Sequence, residues 1–305
     1  MEKLSAREII LKNISQAQNA LAKKRLIYDA QIKELAYLLT DRACEDGYSD
    51  FEAVSDRLRG EYAEFLEGVR ESAGAQTLED LDGIDFRLRF CDFVSRELIS
   101  RGVDGPSFDR FEDEFRDGIR VACFSNRAAD EAYARLNERL GGASRVIGES
   151  IVALCEEVAD GRCELCLLPI YSSLDGLMLN IYRQTRRYGL SPVMSVDVPS
   201  DGDLFVRYFL FASGVYKRDG AETVMLTVVP DEERRIEFLP AALAAYGATV
   251  EDMTSLSPSL YDGNRAFQFT FSTENADIMR IYLFLQINFP RFEINGIYEK
   301  AEAGV

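Results

Sequence analysis

Histidine and tryptophan are absent from this sequence of 305 residues. The missing histidine excludes a Ser-His-Asp triad, a Cys-His nucleophile and any histidine-ligated zinc or iron site supplied by this chain. Acid–base chemistry near neutral pH is then left to carboxylates, tyrosines, cysteines or lysines with shifted pKa values. The sequence therefore offers few of the usual routes to catalysis.

Cysteine and long apolar runs are also scarce. Six scattered cysteines are too few for a disulfide framework, which favours a reducing compartment. The sequence has no apolar run of about 18 residues, the length that a membrane helix needs. It opens with the charged segment Met-Glu-Lys-Leu-Ser-Ala, which does not resemble a signal peptide. We expect a cytoplasmic protein with no membrane partner.

Acidic residues outnumber basic ones by 52 to 35, which gives a formal net charge of −17. No segment carries the basic excess that binding to phosphates requires, so we expect no nucleic-acid partner. The stretch 109–117 is dense enough in carboxylates for a metal site, but Phe111 and Phe115 stand four residues apart, as on one face of an amphipathic helix. We predict a helix there, with no metal and no cofactor.

Cys163 and Cys166 form a Cys-x-x-Cys motif. On a strand, an offset of three residues points two side chains to opposite faces, and no histidine or second motif accompanies this pair. We therefore predict two buried core cysteines rather than a redox or metal site.

Hydrophobic periodicity divides the chain into three predicted domains. Residues 1–117 read as helical, with helical patterns over 5–40, from 50 onward and over 84–100. In residues 118–218, short apolar strands alternate with helices, which predicts βαβ units on a mostly parallel sheet. Residues 221–305 read as strand, helix, strand, strand, helix, strand, the ferredoxin-like order. The predicted fold class is therefore α+β or α/β multidomain.

Two segments of the middle domain are similar to prephenate dehydratases. Residues 163–176, Cys-Glu-Leu-Cys-Leu-Leu-Pro-Ile-Tyr-Ser-Ser-Leu-Asp-Gly, resemble the segment in which that family has Val-Val-Pro-Ile-Glu-Asn-Ser followed by a glycine. Residues 205–209, Phe-Val-Arg-Tyr-Phe, fall where the family has its Thr-Arg-Phe strand. The resemblance implies the first lobe of a periplasmic-binding-protein-like fold.

The last domain resembles an ACT domain. Residues 254–258, Thr-Ser-Leu-Ser-Pro, stand in the place of the family's Glu-Ser-Arg-Pro, and residues 295–298, Asn-Gly-Ile-Tyr, are similar to its closing Gly-x-Tyr. Family members that bind phenylalanine use a Gly-Ala-Leu turn, where this chain has Glu-Arg-Arg-Ile. The resemblance implies an aromatic amino acid effector, and the expected ligand-binding residues are Arg234, Arg235, Ile236, Ser255 and Ser257.

The family's catalytic positions have diverged in this chain. Val206 replaces the threonine that is a principal catalytic residue of the family, and a methyl group cannot relay a proton. Only the stretch 188–204 separates elements between which the family places a whole second lobe. The degenerate family positions are Tyr171, Ser172, Ser173, Val206 and Arg207.

Three functions remain open at this point. The first is a non-catalytic regulatory or small-molecule-sensing protein linked to aromatic amino-acid metabolism. The second is a divergent enzyme of phenylalanine biosynthesis, either a prephenate dehydratase or a chorismate mutase, since bifunctional relatives carry a helical mutase before the dehydratase. The third is a helical scaffold. We also expect a homodimer joined through residues 221–305, because the strand 224–229 is too apolar to be a bare edge.

Overall fold

The structure of the protein is a computed structural model that describes residues 6–45, 50–72, 83–115, 118–230, 236–261, 263–289 and 291–301. The helices are α1 Ala6–Cys44, α2 Phe51–Ser72, α3 Ile84–Ser100, α4 Phe111–Glu114, α5 Arg127–Arg139, α6 Ile151–Ala159, α7 Leu179–Arg187, α8 Phe238–Ala245 and α9 Ile278–Asn288. The strands are β1 Asp109–Arg110, β2 Arg120–Cys123, β3 Ser144–Ile147, β4 Leu165–Ser172, β5 Gly176–Leu177, β6 Leu190–Pro199, β7 Phe205–Ser213, β8 Tyr216–Lys217, β9 Thr223–Val228, β10 Thr249–Leu256, β11 Ala266–Ser272 and β12 Phe292–Ala301.

These elements form two compact units. The first contains the described part of Met1–Pro106 together with Ile278–Asn288, and the second contains the described parts of Ser107–Asp277 and Phe289–Val305. Helix α9 therefore packs in the first unit although its neighbours in sequence belong to the second. The domain boundaries at 117, 218 and 221 stay predictions. Among the described helices, none has the length and apolar composition needed to cross a membrane.

The first unit is helical. Helices α1 and α2 pack together, α3 packs on α1, and α9 packs on α2 and α3. Phe86, Phe90, Val94 and Leu98 recur every four residues on α3 and are buried, so a single face of this helix builds the core. The Asp50 carboxylate begins α2 by accepting a hydrogen bond of 3.0 Å from the backbone N–H of Ala53.

The second unit contains a ten-stranded sheet with the order β10-β11-β9-β12-β6-β7-β4-β2-β3, and β5 pairs with β4. Strand β2 is parallel to β3 and β4, and β6 is parallel to β12, whereas the other pairs are antiparallel. The prediction of a mostly parallel sheet is therefore wrong. Only residues 200–204 connect β6 to β7, and a connection that short allows a hairpin but not the crossover of about a dozen residues that parallel strands need.

Strands β9 to β12 follow the order strand, helix, strand, strand, helix, strand along the chain. Strand β9 lies between β11 and β12, and all its residues are buried. The expectation that this apolar strand needs a second subunit to cover it is therefore wrong, because both of its sides are already paired within the chain. Strand β12 pairs with β9 over residues 292–298 and with β6 over 299–301, which makes one continuous sheet.

Apolar clusters cover both faces of this sheet. Successive residues of β7 point alternately into the two clusters. Tyr208 and Leu210 belong to the cluster under α5, whereas Phe209 and Phe211 belong to the cluster on the other face, with residues of α6 and α7. The N-terminus of α5 is capped by the Asn126 side chain, which accepts a hydrogen bond of 3.0 Å from the N–H of Ala129.

Cys163 and Cys166 lie in the same apolar cluster, together with Cys155, and they are buried as predicted. Their predicted placement on opposite faces is wrong. Strand β4 begins at Leu165, so Cys163 lies outside the strand and the alternation of faces does not apply to it.

The predicted helix over 109–117 is much shorter than expected. Asp109 and Arg110 form β1, which pairs with β8, and only Phe111–Glu114 is helical. The ring centroids of Phe111 and Phe115 lie 4.6 Å apart, so the aromatic pair packs even though the helix ends between them. Residues 116 and 117 lie outside the described residues.

Candidate functional site

The degenerate family positions meet on two neighbouring strands. Strand β4 pairs with β7 so that Tyr171 faces Arg207 and Ser172 faces Val206. The Ser173 hydroxyl accepts a hydrogen bond of 2.9 Å from the N–H of Phe205. The Ser172 hydroxyl accepts bonds from the two N–H groups that follow, at 3.2 and 3.3 Å. Both serine hydroxyls therefore stabilise the local loop.

Val206 and Arg207 point to opposite faces of the sheet because successive residues of a strand alternate. The half-buried Val206 packs against the apolar cluster that contains Val196 and Val198. Arg207 instead lines a cavity of about 260 Å³ on the other face. We call this cavity the Arg207 pocket.

The Arg207 pocket has an apolar part and a polar part. The apolar part is contributed by β4, β5, β7 and β9, through Ile170, Tyr171, Leu177, Phe205, Phe209 and Met225. The polar part is contributed by β7, β10, β11 and β12, through Arg207, Glu251, Asp252, Gln268, Thr270, Tyr298 and Lys300. Concave sites with aromatic walls and a few convergent polar groups are typical of small-molecule binding.

The guanidinium of Arg207 is held in a fixed orientation. Its Nε and one terminal nitrogen, Nη2, donate to the two carboxylate oxygens of Asp197 at 2.6 and 2.7 Å. This hydrogen bonding raises the pKa of Arg207, so the group stays charged. The guanidinium carbon lies 5.4 Å from the ring centroid of Phe205 and 5.8 Å from that of Tyr171. Among the described residues, nothing accepts a bond from Nη1, which is left for a ligand.

Lys300 and Glu251 form an ion pair across the pocket. Lys300 lies on β12 and Glu251 on β10, and both β9 and β11 lie between these strands in the sheet. The two long side chains nevertheless meet over the face of the sheet that lines the pocket. The charge of Glu251 also acts on Arg207. The pocket thus presents cationic and anionic groups together.

Three polar side chains lie deeper in the pocket. The side chain of Gln268 is 4% exposed, and its Nε2 has no hydrogen-bond partner in the described part of the chain. Thr270 forms a hydrogen bond with the hydroxyl of Tyr298, whose pKa burial raises well above its usual value. A tyrosine with a raised pKa stays neutral near pH 7 and does not act as a general base.

The pocket chemistry suits binding more than catalysis. Arg207 can receive a carboxylate, Glu251 and Asp252 can receive an ammonium group, and the aromatic side chains can cover an apolar body. Within the described ranges, no group of three or more cysteine, aspartate or glutamate side chains is placed to hold a metal ion.

Of the ligand residues expected from the ACT resemblance, those that the structure describes lie outside the Arg207 pocket. Arg234 and Arg235 fall outside the described residues. Ile236 precedes α8, Ser255 lies on β10, and the Ser257 hydroxyl lies 2.9 Å from that of Ser259. None of these described residues lines the Arg207 pocket. Their role in ligand binding stays a prediction.

The sequence analysis named Tyr171 and Arg207 but missed Gln268, Lys300 and Glu251. A signal for Gln268 exists in the segment Ala-Phe-Gln-Phe-Thr-Phe, residues 266–271. Its phenylalanines alternate with polar residues, which indicates a strand with a polar group on one face. Lys300 and Glu251 carry no such signal, because they come together only through the order of the strands in the sheet.

Comparison with known proteins supports the fold. No family model matches the chain, and no curated protein matches its sequence. Prephenate dehydratase from Streptococcus mutans matches with a TM-score of 0.50 at 13% identity, over 60% of this chain and 100% of that chain. The chain thus has a prephenate dehydratase-like mixed α/β fold.

Further solved structures are similar at lower scores. The quorum-quenching acylase GqqA matches with a TM-score of 0.48 at 17% identity, over 59% of this chain and 94% of that chain. Prephenate dehydratase from Arthrobacter aurescens, in complex with L-Phe, matches with a TM-score of 0.48 at 12% identity, over 61% and 92%. Scores below 0.5 support no argument about this chain.

Proposed function

We propose that this protein is a non-catalytic, small-molecule-sensing protein of the prephenate dehydratase and ACT lineage, linked to aromatic amino-acid metabolism in the cytoplasm. The observation that supports this most is the Arg207 pocket, in which a fixed guanidinium with an unused Nη1 faces aromatic walls. A guanidinium held in place loses little freedom when it binds a carboxylate, so it is preorganised for that ligand.

We propose an aromatic amino acid as the ligand. The volume of about 260 Å³ lies near the lower end for ligand pockets, which suits a molecule of this size better than a nucleotide. The carboxylate would bind Arg207, the ammonium group would bind Glu251 and Asp252, and the ring would pack on Tyr171 and Phe205. This arrangement pairs every charge of the ligand, as a partly desolvated site requires.

Two features support the absence of catalysis. Val206 occupies the position of the family's catalytic threonine and packs away from the pocket, against an apolar cluster. Between α7 and β7 the chain contains only β6 and short connections, which leaves no room for a second lobe. The likeness of fold is equally consistent with a divergent prephenate dehydratase, so this alternative belongs in the test.

We also propose that the protein is a homodimer joined through its last predicted domain. Strand β10 is an edge of the sheet, and its residues Glu251–Met253 and Ser255 are exposed. An unpaired edge can extend the sheet by pairing with a second copy. Light scattering on the full chain tests this proposal, and a monomer at tens of micromolar (about 10–50 µM) would contradict it.

Thermal-shift measurements on the full chain test the function. Phenylalanine, tyrosine, tryptophan, prephenate and chorismate are added to the wild type, to Arg207→Gln and to the control Arg162→Gln. Arg162 is an exposed arginine that pairs with Glu157 and Asp160 away from the pocket. A ligand at 100 times its Kd stabilises the folded state by about 2.7 kcal/mol.

We expect at least one aromatic amino acid to stabilise the wild type and the Arg162 control, but not Arg207→Gln. Equal stabilisation of all three proteins would contradict the assigned site. A parallel assay follows the conversion of prephenate to phenylpyruvate. Turnover that scales with the concentration of pure protein would favour the divergent enzyme over the sensor.

A further inference from the structure

Gln268 is a buried amide in a strand that alternates apolar and polar residues. Strand β11 alternates its phenylalanines with Gln268 and Thr270, so the two polar side chains share the face that lines the pocket. Only 4% of Gln268 is exposed, and its Nε2 has no partner among the described residues. Since buried amides are nearly always hydrogen-bonded in native proteins, this donor needs an explanation.

The neighbouring polar group does not satisfy the amide. Gln268 pairs in register with Thr227 on β9. The Thr227 hydroxyl donates a hydrogen bond of 2.5 Å to the Asn295 side chain, and it accepts one of 3.4 Å from the Tyr261 hydroxyl. Thr227 is therefore already engaged with other partners, and Gln268 is one of the residues that line the cavity.

Gln268 and Arg207 lie on different strands of the sheet, although both belong to the polar part of the pocket. From β7 through β6, β12 and β9 to β11 there are four steps of about 4.8 Å, or about 19 Å along the sheet surface. Both side chains line the same pocket from these different strands. A ligand with its carboxylate at Arg207 and its ring against Tyr171 and Phe205 would extend across the pocket for its far end to meet Gln268.

We propose that Gln268 is the specificity-determining residue of the Arg207 pocket. It selects carboxylate ligands that carry a hydrogen-bond acceptor at the end remote from the carboxylate. L-Tyrosine has such a group in its phenolic oxygen, and L-phenylalanine has the same body without it. This inference rests on the proposed function, because it takes binding at Arg207 as given.

The physical reason is the asymmetry of buried hydrogen bonds. A ligand without the acceptor leaves the Gln268 donor unpaired and gains no binding free energy from it. A ligand with the acceptor forms a hydrogen bond with a donor whose burial is already unfavourable. Sites built to bond a hydroxyl reject the analogue without it far more strongly than apolar pockets reject a change of size. The selectivity therefore depends on one amide.

The test compares L-tyrosine with L-phenylalanine by calorimetric titration of the full chain. The proteins are the wild type, Gln268→Met, and Ser272→Ala as a control on the same strand. Methionine keeps the unbranched shape of glutamine and removes the donor. We expect the wild type and the control to prefer tyrosine by about tenfold or more, and Gln268→Met to bind both ligands within about twofold.

A second readout needs no ligand. Because Gln268→Met removes a buried Nε2 that has no partner among the described residues, we expect the melting temperature of the ligand-free protein to rise by about 2–6 °C. A fall in that temperature would show that the amide stabilises the fold, and would overturn the inference. The inference would also be overturned if the wild type bound both amino acids equally and Arg207→Gln bound neither. The proposed function would then still stand. If neither amino acid binds the wild type, the proposed function fails first.

Discussion

Replacement of Asp197 by alanine probes the group that orients Arg207. The substitution removes both hydrogen bonds of the bidentate pair, at 2.6 and 2.7 Å. Exposed ion pairs contribute about 0.2–1 kcal/mol, and breaking a fully buried pair costs about 3–5 kcal/mol. The two side chains are 26% and 34% exposed, so the pair lies between these limits. We expect Asp197→Ala to lower the free energy of unfolding by about 2 kcal/mol.

The assay is urea unfolding followed by circular dichroism, which suits a protein without tryptophan. With a denaturant slope of about 3 kcal/mol/M, the midpoint should fall by about 0.7 M. Asp160→Ala is the matched control, because Asp160 pairs with Arg162 at 2.6 Å but both side chains are more than half exposed. We expect that control to move the midpoint by less than about 0.3 M.

The double variant Asp197→Ala/Arg207→Gln separates the pair from its surroundings. If the two groups act on each other, the effects of the single substitutions should fall short of adding up, by about 1–2 kcal/mol. A midpoint for Asp197→Ala that matches the Asp160 control would refute the reasoning. It would mean that Arg207 is solvated and free to turn, and that the pocket is not preorganised.

Two further predictions concern stability. The hydrogen bond from Arg120 lowers the pKa of Glu164 below its usual 4.5. The ionised carboxylate of Glu164 therefore stabilises the folded state above pH 4.5. This stabilisation is lost as the pH falls through the lower pKa that Glu164 has in the folded state. Glu164→Gln should therefore be less stable than the wild type in urea at neutral pH, and the difference should shrink as the pH is lowered below 4.5. A difference that stays unchanged would contradict the pairing. Gly247 has a φ of +86°, and an added Cβ would lie 2.4 Å from the backbone oxygen of Asn275. Gly247→Ala should lower the free energy of unfolding by about 2–4 kcal/mol. The control Gly202→Ala, whose added Cβ meets open space, should lower it by about 1 kcal/mol. Equal effects of the two substitutions would refute the argument from the close contact.

The sequence predicted most of the helices and strands because their signals are local. The apolar spacing of α3 and the continuous apolar run of β4 depend on neighbouring residues alone. Strand direction was predicted less well, because it depends on what the connections allow. Only five residues connect Pro199 to Phe205, and a connection that short requires β6 and β7 to be antiparallel. The alternation of strands and helices, on which the parallel prediction rested, does not contain that information.

Long-range features explain the remaining differences. The central position of β9 depends on which strands return to pair with it, and a strand buried on both faces looks the same in sequence as an apolar edge. Helix α9 packs with helices that lie far from it in the chain. Neither feature follows from the spacing of residues within a single element.

The residues of the candidate site also differ in whether the sequence could predict them. Arg207 and Tyr171 were singled out through a resemblance between short segments of sequence, and the structure places both in the pocket. Lys300 and Glu251 join them from two strands, β12 and β10, that other strands separate in the sheet. The order of the strands is a property of the whole sheet and is not contained in either segment.

A crystal structure of the full chain grown with saturating L-tyrosine tests the central claim most directly. The account predicts one bound molecule per chain in the Arg207 pocket, with its carboxylate within hydrogen-bond distance of Arg207 Nη1 and its ring against Phe205 or Tyr171. Tyrosine bound instead at Arg234 and Arg235, with the Arg207 pocket empty, would contradict this prediction.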